Sequence, residues 1–149
     1  MIKKILVSLD GSEHANKALD YALDLAKKYS AEIVLLSVIP PVAVPMAYPD
    51  MSMSYISPST IDMYYNELKT SHESVLSQAF EKATRIGSRV STKIAEGRPS
   101  DRIVETAKEG NFDIIVMGSR GLGGAKEFFL GSVSHRVAIE APCPVLIVK

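Results

Sequence analysis

The chain of 149 residues has one cysteine, no excess charge of either sign and no long apolar run. Cys143 has no second cysteine to pair with inside the chain, which excludes an internal disulfide and agrees with a reducing compartment. Seventeen basic and seventeen acidic residues cancel. No global field therefore gathers nucleic acid or an anionic membrane surface. The N-terminal run Ile5-Leu6-Val7 breaks off at Ser8 and Asp10, too short for a signal-peptide core or a membrane span. A cytoplasmic protein with neither nucleic-acid nor membrane partners is expected. The three histidines, His14, His72 and His135, lack metal-ligand spacing and are expected at exposed helix positions, so metal catalysis is not indicated. No Gly-x-Ser-x-Gly elbow is present, and Cys143, flanked by Pro142 and Pro144 with no basic neighbour, reads as a buried inert thiol.

What is present is alternation of buried strands and amphipathic helices. The 46% hydrophobic and 23% charged composition suits one soluble domain over residues 1–149. Residues 2–9 form an apolar run that ends in Asp10-Gly11-Ser12, a strand feeding a turn. From Glu13, Ala15, Ala18, Leu19, Ala22, Leu25, Ala26 and Tyr29 recur at helical spacing, with Ser12 as N-cap and Ser30-Ala31 as the end. Residues 32–39 are a second strand, stopped by Pro40-Pro41.

Pro40 to Pro58, with five prolines and with Met46, Met51 and Met53, reads as a long loop and the candidate moving part. A long helix follows over 59–86, with Ile61, Tyr65, Leu68, Val75, Leu76, Ala79, Ala83 and Ile86 near one face. Residues 89–95 make a third strand. Pro99 opens a helix with Ile103, Val104 and Ala107 inward, stopped by Gly110. Residues 113–117 are the fourth strand, 132–140 a short helix and 144–148 the last strand. The expected fold is α/β: a doubly wound, five-stranded parallel sheet with helices on both faces. Its ligand crevice belongs at the carboxyl ends of the strands where the winding reverses. If that point lies between the first and fourth strands, Asp10 faces the segment that follows Met117.

That segment holds five of the nine glycines in residues 118–132. Glycines after a strand, followed by a helix start, let backbone N–H groups approach an anion. The spacing is Gly118, two residues, Gly121, nine residues, then Gly131-Ser132. A Walker A loop fails, because no glycine precedes a Lys-Ser or Lys-Thr step, and the Gly-x-Gly-x-x-Gly fingerprint fails at Lys126.

The pattern resembles that of the universal stress protein family in its ATP-binding branch. The likeness runs through Lys4 to Glu13, Gly97-Arg98-Pro99, Asp113 to Gly121, Leu130 to Ser134 and Pro144 to Val148. It implies an adenine nucleotide α-hydrolase-like crevice for ATP, with Mg2+ or Mn2+ carried by the phosphates. By position, Ser8, Leu9 and Asp10 would edge the site, Asp10 reaching the ribose or a phosphate-bound metal. The backbone of Val38 would bind adenine. Met117, Gly118, Arg120 and Gly121 would line the ribose and phosphate side, and Gly131, Ser132, Val133 and Ser134 would offer N–H groups and hydroxyls to the phosphates. Arg120 and Lys126 also read as solvated loop charges, and Asp10 as a turn former.

Three functions are compatible with this reading. The first is a nucleotide-dependent switch in stress response with an unknown signalling partner. The second is a slow or partner-stimulated ATPase, although no catalytic residue is assignable and no base for water is evident. The third is a nucleotide-independent, chaperone-like dimer. A homodimer through the edge strand Pro144 to Val148 is expected in any case.

Overall fold

Ile5, Leu6 and Val7 are wholly buried, as a strand covered on both faces requires. They form the middle of β1 (Lys4–Ser8). A computed structural model describes residues 1–42, 57–123 and 130–149. In chain order the remaining elements are α1 (Glu13–Tyr29), β2 (Glu32–Ile39), α2 (Pro58–Arg85), β3 (Val90–Glu96), α3 (Pro99–Glu109), β4 (Ile114–Gly118), α4 (Ser132–Glu140) and β5 (Val145–Val148). The expected alternation holds throughout. Most of the loop expected over Pro40 to Pro58, with Met46, Met51 and Met53, and also Lys126, lies outside the described residues.

All strand pairs are parallel and the order is β3-β2-β1-β4-β5. The winding therefore reverses between β1 and β4, whose register sets Ser8 beside Met117. The carboxyl ends of these two strands open side by side. Asp10 and the glycine segment follow them on either side of the gap.

The sheet divides two cores. On one face Ile5, Val7, Leu9, Ile33 and Leu35 meet Ala15, Ala18, Leu19, Ala22, Leu23 and Ala26 of α1 and Leu76, Ala79 and Ala83 of α2. On the other, Leu6, Leu36, Val38, Ile115 and Met117 meet Ile103 and Ala107 of α3 and Val137 of α4. Alternation along each strand sends neighbouring residues to opposite cores. No helix among the described residues is long and apolar enough to cross a membrane.

Several local expectations are corrected. The last inward residue of α1 is Ala26, while Tyr29 is exposed and Leu23, not on the expected stripe, is buried. Tyr29 is the last residue of α1, about one turn beyond Ala26, and the helix ends directly after it at Ser30, which is in the left-handed region. Helix α2 starts at Pro58 rather than after it, because Ser57 accepts a hydrogen bond from the Thr60 N–H and proline is suited to the first helical turn. Ile86 caps α2 and is exposed. Strand β1 spans Lys4–Ser8, shorter than residues 2–9.

Candidate nucleotide site

The ends of β1 and β4 are tied together by short polar links. Ser12 is the N-cap of α1: its Oγ accepts from the Ala15 N–H at 3.2 Å and donates to the Arg120 carbonyl at 3.3 Å. The Ser12 N–H in turn donates to Asp10 Oδ1 at 2.9 Å, an Asx-type turn. One carboxylate oxygen of Asp10 thus shapes the turn. The other, Oδ2, faces the glycine segment, where a Cβ on Gly121 would stand 2.5 Å from it.

Gly118 is a glycine for a different reason. A Cβ there would lie 2.8 Å from backbone atoms of His14 and Ala15, so its absence lets the first turn of α1 pack directly on the end of β4. The close approach fixes the near wall of the crevice.

On the far side, the Gly131 N–H donates to the Ser119 carbonyl at 2.8 Å. Ser134 Oγ donates to that same carbonyl at 2.7 Å and lies 3.0 Å from the Gly131 carbonyl. These bonds clamp the start of α4 against the end of β4. Gly131 is the N-cap residue, and the first intrahelical bond runs from the His135 N–H to the Gly131 carbonyl. The N–H groups of Ser132, Val133 and Ser134 consequently have no carbonyl one turn earlier to bond. The Ser134 hydroxyl proton is committed to the clamp, so of the two expected hydroxyls only that of Ser132, which is exposed, is left to meet a ligand.

Between these walls lies a cavity of about 470 Å³. This is within the range of pockets that hold small organic ligands. The residues singled out in the sequence all line it: Ser8, Leu9 and Asp10 from β1 and its turn, Val38 from β2, Met117, Gly118, Arg120 and Gly121 from the end of β4, and Gly131, Ser132, Val133 and Ser134 from the start of α4. Pro40, Leu68, Pro99 and Ile103 add apolar wall. The chemistry is therefore graded, with an apolar end, a carboxylate in the middle and a helix N-terminus at the other end. A helix N-terminus carries partial positive charge and favours anions.

His72 also lines the cavity, and this corrects its expected exposure. It is half-buried, as is His14, whereas His135 is exposed. The signal was in the sequence: His72 stands four residues after Leu68 and four before Leu76, in register with the inward stripe of α2. Its Nδ1 is 2.7 Å from Ser37 Oγ. Burial pushes the imidazole below the usual histidine range, opposed by the nearby Asp10 carboxylate. Cys143 is half-buried, and burial, with a smaller contribution from Asp113, raises its thiol above the usual range, in keeping with an unreactive side chain.

The sequence profile of the universal stress protein family matches residues 1–149. Universal stress protein YxiE of Bacillus subtilis (strain 168) is 42% identical over 149 residues, covering 100% of both chains. Among solved structures, protein MJ0577 superposes with a TM-score of 0.77 at 31% identity, covering 100% of this chain and 96% of the other. The chain belongs to the universal stress protein family. The same fold is found in universal stress proteins solved in complex with cAMP (24% identity, TM-score 0.71, covering 99% of this chain and 97% of the other), with AMP bound, from Arabidopsis thaliana (22%, 0.68, 99% and 91%), and with dAMP, from Archaeoglobus fulgidus (20%, 0.68, 100% and 98%).

Proposed function

We propose that this cavity binds ATP and that the chain acts as a nucleotide-dependent switch in stress response. The observation that carries the reading is the convergence on one cavity of Asp10, Val38, the Gly118–Gly121 pair and the N-terminus of α4. An adenine would sit at the apolar end beside the Val38 backbone, the ribose beside Asp10 and the phosphates against the N–H groups of Ser132, Val133 and Ser134. The gap that Gly121 leaves beside Asp10 Oδ2 suits a sugar or phosphate passing close to the backbone. Relatives of the same fold bind adenine nucleotides, which agrees with this reading, although their identities of 20–24% carry only the fold.

Among the described residues no group of three or more His, Cys, Asp or Glu side chains could hold a metal ion. Mg2+ or Mn2+ would arrive on the triphosphate and be held by phosphate oxygens and water, with Asp10 the carboxylate that lines the cavity among the described residues. The protein is read as a cytoplasmic homodimer paired through the edge strand β5, with occupancy altering the choice of an unidentified signalling partner. Occupancy can do so only if ATP binds one conformation better than another.

The test is chemical. Protein purified without added nucleotide is denatured, and the supernatant is resolved by ion-exchange chromatography alongside equilibrium titration with ATP. Released adenine nucleotide or saturable ATP binding is expected. An empty supernatant together with no binding at millimolar ATP overturns the reading.

A further inference from the structure

Ser37 is completely buried on β2, on the same face as Leu35 and so toward α1 and α2. Its hydroxyl donates to the Leu9 carbonyl at 2.8 Å. A hydroxyl has one proton, so the 2.7 Å contact with His72 Nδ1 must be made by the imidazole donating to Ser37 Oγ. The neutral ring is thereby held in the tautomer protonated on Nδ1, with the lone pair on Nε2. Ser37 is not on the cavity wall but His72 is. Among the described residues Nε2 has no hydrogen-bond partner, so it is the ring nitrogen left for a ligand in the cavity that His72 lines.

Two acceptors then belong to one cavity wall, the Asp10 carboxylate and the His72 imidazole, close enough for the carboxylate to act on the ring. Burial favours the neutral imidazole, so Nε2 offers a lone pair rather than a proton at neutral pH. A phosphate, rich in acceptors, gains nothing from such a pair. A ligand group with two adjacent hydrogen-bond donors does, and the vicinal hydroxyls of a ribose are that group.

We propose that His72, held in register by Ser37, accepts a hydrogen bond from one ribose hydroxyl and makes the site selective for ribonucleotides over the deoxynucleotide lacking that hydroxyl. The proposal rests on the adenine nucleotide reading of the cavity. His72 is the specificity-determining residue and Ser37 the positioning residue. Asp10 serves as the second acceptor, for the other hydroxyl.

The experiment compares dissociation constants for ATP, 2′-deoxyATP and 3′-deoxyATP, with Mg2+ and with EDTA, in wild type, His72→Phe and Ser37→Ala. Phenylalanine keeps the ring and its packing but has no acceptor. Wild type is expected to bind both deoxy analogues more weakly than ATP, roughly three- to tenfold for the one lacking the hydroxyl that His72 accepts, the worth of a single hydrogen bond. His72→Phe should weaken ATP by a similar factor, leave that same analogue unchanged, and do so equally with and without metal. Ser37→Ala should narrow the same ratio.

An equal loss for all three nucleotides in His72→Phe, or no loss, overturns the inference while leaving the nucleotide site standing. A loss confined to Mg2+ makes His72 a metal contact and also overturns it. Wild-type protein that binds none of the three overturns the nucleotide reading and the inference together.

Discussion

Asp10 Oδ2 occupies the space that a side chain at position 121 would need: a Cβ on Gly121 would come within 2.5 Å of it. The carboxylate is the far end of a flexible side chain and can swing aside. At Gly118, by contrast, the atoms 2.8 Å away belong to the backbone of α1 and cannot. Gly121→Ala should therefore leave the fold nearly intact while displacing Asp10, and weaken ATP about tenfold or more, within the cost of overpacking a fitted site. Gly118→Ala should instead destabilise the protein by about 1–3 kcal/mol through the same kind of clash with rigid neighbours. Urea denaturation and isothermal titration on both variants separate the two effects. Equal loss of stability would show that the glycines do the same job.

Asp10 carries two roles on two oxygens, and substitution can divide them. Asp10→Asn keeps an acceptor for the Ser12 N–H at 2.9 Å but removes the charge. Asp10→Ala removes both, at a cost of about 0.5–1.5 kcal/mol for the lost turn bond. ATP affinity should fall in both variants, whereas the denaturation midpoint should fall only in Asp10→Ala. An Asn variant with wild-type affinity would reduce Asp10 to a turn former.

The strands were legible because a parallel sheet covered on both faces writes continuous apolar runs such as Ile114 to Met117 and Ile33 to Leu36. The glycine spacing marked where side chains are not tolerated. It did not tell which neighbour forbids them, a helix backbone at Gly118 and a carboxylate at Gly121, since that depends on how α1 docks. His72 was missed for a related reason. A polar residue between Leu68 and Leu76 reads as an interruption of the stripe until topology brings Ser37 of β2 beneath it. Tyr29 failed for a local cause, the left-handed Ser30 that ends α1 one turn after its last buried contact.

The His72 imidazole gives stability a pH dependence whose sign follows from its burial. Its folded pKa lies below the unfolded value of about 6.5, so in the window between them the unfolded chain binds more protons. Stability then rises with pH across that window and is lost as pH falls below about 6.5. Urea midpoints at pH 7.5 and 5.5 should differ more for wild type than for His72→Phe. Identical differences would remove His72 from the account. Asp113, lowered by hydrogen bonds from the Lys3 and Lys4 N–H groups, acts in a separate window: its contribution is present above the carboxylate range and lost on further acidification.

Among the described residues strand β5 pairs only with β4, and no strand lies along its outer edge. The Pro144 carbonyl accepts from the Ile115 N–H and the Val148 carbonyl from the Ser119 N–H, so even-numbered residues turn their polar groups inward to β4. In an extended strand the alternate residues point the other way, leaving the N–H and carbonyl groups of Val145 and Ile147 to the outside. A second copy paired along this edge would use them. Ile147→Pro removes one outward N–H without breaking a bond to β4, a placement that edge strands tolerate. The variant should shift from dimer to monomer in size-exclusion chromatography with light scattering while still binding ATP. A variant that remains dimeric would move the homodimer interface away from β5.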